Sequence, residues 1–191
     1  MQSNHTFFTI LLLLFSTLVN AQPRKGNFIN ANIGLGVTSA SYDKQDIGGK
    51  GFYVQGEYIH AVNNWFGVRP YAGFIITSPD DDETPDVKPD YGASTKAFLL
   101  GGKVRLCAPL PYVAPYLEVG FGLSIGTFVT YTPDDEINKK GVVPHIPFAI
   151  GIAVGRKHAV DVVFSYYYMS SVKQFSGAFA VGLIFPLDDE E

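Results

Sequence analysis

Along most of this chain large apolar side chains alternate with Gly, Ser, Ala or a charged residue, and the charges share a face with most of the glycines. Alternation with period two marks β-strands whose two faces meet different surroundings. In a soluble sheet the apolar row turns inward and the charges meet water. Here Glu57, Arg69, Lys103, Arg105, Glu118 and Asp161 each stand in mid-run, backed by a face that is otherwise apolar and accompanied by small residues. That arrangement fits lipid on the apolar side and a polar, uncrowded lumen on the other, which is the requirement of a transmembrane β-barrel.

Eight such runs are legible, at residues 27–38, 51–60, 66–77, 95–107, 115–128, 144–155, 160–169 and 175–187. The fifth is typical: Leu117, Val119, Phe121, Leu123 and Ile125 oppose Tyr116, Glu118, Gly120, Gly122 and Ser124. Each is long enough for a tilted membrane strand, which needs about 9–11 residues. The expected fold class is all-β, an eight-stranded antiparallel up-and-down transmembrane β-barrel. Short connections fall at 61–65, 108–114 and 156–159, and longer ones at 39–50, 78–94, 131–143 and 170–174. Pro70 and Pro147 interrupt the pattern, because proline deletes a ladder hydrogen bond; they are expected near strand ends or at bulges.

Residues 1–21 read as a signal peptide, with an apolar stretch from Phe7 to Val19 and Val19-Asn20-Ala21 before the cut, leaving 22–191 as one barrel domain. The apolar stretch is too short for a spanning helix, which needs about 20 residues. A net charge of −4 gives no reason to expect a nucleic-acid partner. Cys107 is the single cysteine, so neither an internal disulfide nor a thiolate metal cluster can form.

An eight-stranded barrel is just wide enough for side chains to fill it. Charges inside are costly unless paired and hydrogen-bonded. Arg69, Lys103 and Arg105 balance Glu57, Glu118 and Asp161, with Glu57 beside Arg69 and Glu118 beside Lys103 or Arg105 on neighbouring strands. A filled, self-neutralised lumen is the expectation; a conducting path or ligand site on the same charges is the alternative.

The whole mature chain resembles the small outer-membrane β-barrels of Gram-negative bacteria, the OmpA/OmpX-type and Bacteroidetes porin-like proteins, through this pattern and through its last strand. Gly182, Phe185 and Leu187 match the glycine and alternating aromatic or apolar residues that such proteins present as an assembly signal. The resemblance implies residence in the outer membrane after signal cleavage, contact with its lipid and lipopolysaccharide, and handling by the outer-membrane assembly machinery. It also leaves room for an unidentified surface partner reached through the long loops.

Some barrels of this size modify lipid A, which directs attention to His145, at the outer end of the sixth run, and to Ser170 and Ser171 in the last outer loop. A general base must reach its nucleophile's proton, and the spacing does not join these residues. His60 and His158 fall in inner-side turns. Asp80-Asp81-Asp82-Glu83 and Asp134-Asp135-Glu136 supply hard oxygen ligands but lack an EF-hand spacing, so they read as solvated acidic loops. No cofactor or metal is implied. Tyr58, Trp65, Phe66, Tyr112 and Phe185 near one rim, with Tyr166 and Tyr168 near the other, suit the aromatic girdles of a membrane protein. The functional expectation is a non-enzymatic barrel with an envelope-structural or surface-interaction role. A narrow porin ranks second, a lipid A-modifying enzyme third and a soluble lipocalin-like carrier fourth.

Overall fold

The computed structural model of the protein describes residues 25–42, 45–79, 92–131, 136–172 and 174–187. Eight strands follow one another: β1 (Gly26–Tyr42), β2 (Gln45–Ala61), β3 (Phe66–Pro79), β4 (Gly92–Cys107), β5 (Val113–Tyr131), β6 (Glu136–Val154), β7 (Val160–Met169) and β8 (Gln174–Pro186). Each pairs antiparallel with its sequence neighbours, and β1 pairs with β8 to close the barrel. One 3₁₀ turn, Ser170–Val172, leads into β8. Among the described residues no helix is long and apolar enough to cross a membrane; the strands supply the membrane-facing surface.

The two faces separate as the alternation requires. Leu35 and Phe121 are 69% and 62% exposed on the outside, while Glu57, Arg69 and Glu118 are buried inside. The outward apolar row on β4 runs from Leu106 through Val104 and Leu100 to Phe98, and Lys96 comes next. At about 3.3 Å per residue and a tilt of about 40°, Leu106 to Lys96 spans about 25 Å of barrel height, the thickness an outer-membrane belt requires. Thr127 and Lys140 stand beside Lys96 on β5 and β6, so the apolar belt ends there on all three strands.

Both chain ends of the barrel lie at one rim, with the turns at 62–65, 108–112 and 155–159. Two of these turns contain non-glycine residues in the left-handed region, Tyr112 at φ 64° and His158 at φ 51°, and Gly155 takes φ 102°. At the opposite rim the strands reach beyond the runs read from sequence. β1 and β2 stay paired up to Tyr42 opposite Gln45, and β5 and β6 up to Tyr131 opposite Glu136. Segments 39–50 and 131–143, expected as loops, are therefore mostly hairpin strand. Their alternation is weak because past the belt no lipid demands an apolar face.

The two prolines also differ from expectation. Neither ends a strand nor shifts a register: Pro70 stands opposite Gly102 and Pro147 opposite Tyr167 within continuous ladders. Each leaves its gap on the other side. The β2–β3 ladder skips from Glu57–Tyr71 to His60–Val68, and β5–β6 skips from Val119–Phe148 to Gly122–His145, without changing alignment. The absent proline N–H is thus accommodated by an open step in one ladder. The signal peptide expected at 1–21 and the acidic clusters at 80–83 and 134–135 lie outside the described residues; Glu136 opens β6.

Candidate functional site

The lumen is filled in layers. Nearest the rim that carries the termini lie the six charged side chains, contributed by β2, β3, β4, β5 and β7. Arg69 Nη1 donates to Glu57 Oε2 at 2.7 Å and to Glu118 Oε1 at 3.2 Å. Lys103 Nζ lies 2.6 Å from Glu57 Oε1 and 2.7 Å from Glu118 Oε2. Arg105 donates from Nε to Glu118 Oε1 at 2.6 Å and from Nη2 to Asp161 Oδ2 at 3.1 Å. Arg69 and Lys103 face each other across the β3–β4 ladder, a repulsive pairing on its own. Glu57 and Glu118 each bond both, which turns the repulsion into a bridge. The residues named from sequence thus form one connected network with bonds running across the barrel as well as between neighbouring strands.

Neutral groups extend this network. Asn30 on β1 donates from Nδ2 to Asp161 Oδ2 at 2.9 Å, tying the first strand to the seventh past β8. Gly182, between them on β8, has a role within the lumen: a Cβ there would collide with the side-chain oxygens of Asn30 and Asn32. Phe185, by contrast, is exposed on the outer face, and Leu187 is exposed just past the strand. The Arg105 guanidinium lies 3.2 Å from the centre of the Tyr116 ring, adding a cation–π contact.

Above the ions sits a layer of aromatic and amide groups. Tyr167 donates to Gln55 Oε1 at 2.7 Å, and Gln55 Nε2 donates to Glu57 Oε1 at 2.7 Å. Since the Tyr167 proton is committed, the 2.8 Å contact between the Tyr53 and Tyr167 hydroxyls has Tyr53 as donor. A directed chain therefore runs from Tyr53 to the carboxylate of Glu57. Beside it His145 bonds Tyr71 through Nε2 at 2.5 Å and Ser124 through Nδ1 at 2.7 Å. His145 is hence a lumen residue in mid-strand, not one at the outer end of β6, because the strand begins at Glu136. Ser170 and Ser171 are exposed on the 3₁₀ turn. His60 hydrogen-bonds Asn27, and His158 the Leu110 carbonyl, both at the rim that carries the termini.

Ile75 and Leu99 are fully buried among the inward side chains. Farther toward the rim without termini comes a hydroxyl cluster. Thr38 contacts Thr77 at 2.8 Å and Ser176 at 3.3 Å, and Thr77 Oγ1 accepts from the Thr95 amide at 2.9 Å. The inward face of each run was readable from sequence, but the pairing of Ser124 with His145 was not. The one signal for it is that both lie on inward positions of adjacent strands.

The aromatic rims are present too. Trp65 and Phe66 pack at 5.7 Å between ring centres at one end, and Tyr166 and Phe175 at 5.5 Å at the other. A closed eight-stranded barrel with an apolar exterior and a polar, ion-paired interior defines a small transmembrane β-barrel protein. The outer membrane protein beta-barrel domain family matches residues 8–185, and the chain belongs to that family. No curated protein matches it. Among solved structures it is similar in fold to Neisserial surface protein A, at 14% identity and a TM-score of 0.56, covering 85% of this chain and 98% of that one. It is similar also to Ail, the attachment invasion locus protein of Yersinia pestis, at 16% identity and a TM-score of 0.51, covering 85% of this chain and 100% of that one. Ail is also known in complex with the heparin analogue sucrose octasulfate.

Proposed function

We propose that the protein is a non-enzymatic, non-conducting outer-membrane barrel with an envelope-structural or surface-interaction role. The observation that carries this reading is the ion network across the lumen. Three cations and three carboxylates bond one another with side-chain exposures of 10% or less. Moving an ion through would require breaking charge-assisted bonds in a poorly hydrated interior, where an unpaired charge costs several kcal/mol. The tyrosine layer above adds a second obstruction.

The enzymatic alternative is disfavoured by access. Ser124 and His145 make a hydroxyl–imidazole pair, but both are buried inside the barrel, away from the lipid-facing surface. The surface half of the reading draws on fold analogy, since Neisserial surface protein A and the attachment invasion locus protein share this architecture and carry surface and attachment in their names. Contact with lipopolysaccharide is supported by Lys96 and Lys140. They flank Thr127 on the outward face where the apolar belt ends, at the height of anionic headgroups.

Purified protein reconstituted in planar bilayers is expected to give no discrete conductance steps. Regular unitary steps would overturn the closed-lumen reading in favour of a narrow porin. Turnover of lipid A that disappears in a His145→Ala variant would overturn the non-enzyme reading.

A further inference from the structure

Just past the apolar belt, one lateral row on the outer face of β4, β5 and β6 holds Lys96, Thr127 and Lys140, each opposite the next across a ladder. The row beneath it, toward the rim with the termini, is Phe98, Ile125 and Val142, of which Ile125 and Val142 are 44% and 58% exposed. Neighbouring strands lie about 4.8 Å apart, so the two lysines stand about 10 Å apart at Cα, with the threonine midway. Two lysine side chains can close that span from both sides onto one group held over the Thr127 hydroxyl.

Both lysines are exposed, and neither makes a hydrogen bond or an ion pair among the described residues. Lys139, on the opposite face of β6, differs: it stands opposite Phe128 and donates from Nζ to the Ser171 carbonyl at 3.1 Å. In a soluble protein a pair of exposed lysines needs only water. Here the pair stands where water gives way to lipid, at the depth at which an outer-leaflet lipid carries its polar head. The apolar strip directly beneath continues the belt already described.

We propose that the row of Lys96, Thr127 and Lys140 holds a terminal phosphate carried by a glycolipid of the outer leaflet, whose acyl chains lie along Phe98, Ile125 and Val142. The inference rests on the reading of the protein as an outer-membrane barrel in contact with lipopolysaccharide, and it specifies the group recognised and the face that recognises it. Two ammonium groups and one hydroxyl offer donors to the three free oxygens of a phosphomonoester, whose charge strengthens each bond. A phosphodiester, with two free oxygens and a single charge, matches the set less well. The strip occupies three of the eight strands, so one lipid per barrel fits it.

The full mature protein, folded in phosphatidylcholine nanodiscs, is titrated with lipid A and with lipid A stripped of its phosphates, and the bound lipid is counted by native mass spectrometry. Lipid A is expected to saturate at one per barrel and to be retained in preference to the stripped form. Lys96→Gln and Lys140→Gln are each expected to weaken its binding about fivefold, the scale of one cation beside a membrane surface. Arg156→Gln, an exposed cation in the turn at the opposite rim, is expected to leave binding unchanged. The proposal is overturned if the stripped lipid binds as well, if either lysine variant binds as tightly as the parent chain, or if Arg156→Gln weakens binding equally. It is overturned also if millimolar inorganic phosphate displaces lipid A, which would make the row a site for free anions. These failures leave the closed-lumen reading standing, because that reading is judged by conductance; a chain that does not enter the discs would instead remove the membrane reading beneath both.

Discussion

The lumen near the termini and the lumen near the opposite rim are built from the same β-hairpins, yet they are closed by different chemistry. The first holds six ions whose bonds cross the barrel; the second holds small hydroxyls with Ile75 and Leu99 below them. In the ionic half each group depends on several others, because removing one charge leaves its partners buried and unpaired. In the hydroxyl half contacts also cross the lumen, as where Ser176 on β8 reaches Thr95 on β4 at 3.3 Å, but every group is neutral and losing one strands no charge. The difference teaches that equal burial does not mean equal fragility.

The sharpest way to break this comparison is Glu118→Gln, which keeps the shape and removes a carboxylate shared by Arg69, Lys103 and Arg105. It is expected to destabilise the barrel by about 3–5 kcal/mol, read as a fall in the urea midpoint followed by Trp65 fluorescence. Recovery of part of that loss in Glu118→Gln with Arg105→Met would locate the damage in the stranded cation rather than in packing. Leu99→Ala comes next, at about 2–4 kcal/mol, because a buried aliphatic side chain leaves a cavity. Thr77→Val is the mildest, at about 1–3 kcal/mol, since it removes two neutral hydrogen bonds, to Thr38 and from the Thr95 amide, and no charge. If Thr77→Val proved as damaging as Glu118→Gln in the same unfolding assay, the two halves would not differ in the way described.

The sequence discloses some of this and hides the rest for physical reasons. Lipid on one face and a lumen on the other impose period two, so Ile33 with Asn32, or Val104 with Lys103, declare their sides directly. Beyond the belt both faces are wet, the constraint lapses, and residues 39–42 and 45–50 look like loop although they are paired strand. Pro70 suggested an interruption, but a ladder can skip a step without losing register, and nothing local to a proline reveals that. The adjacency of Glu57 and Arg69 was readable from strand order. Lys103 meeting Glu57 was not, because that bond crosses from β4 to β2 and depends on how the lumen is filled. His145 shows the same limit: its inward position was not recognised, because the sixth strand starts well before the first residue whose alternation is clear.

The charge network also has a direction along the chain. Strands β2 to β5 contribute three cations and two carboxylates, so the first five strands hold an excess positive charge in what becomes the interior. Only Asp161, on the seventh strand, brings the sum to zero. It is fastened to β1 through Asn30, next to the closing β1–β8 seam. The six lumen charges therefore sum to zero only when the last hairpin is in place. Electroneutrality of the interior is thus a property of the closed barrel, and of no run of its strands that stops at β4, β5 or β6.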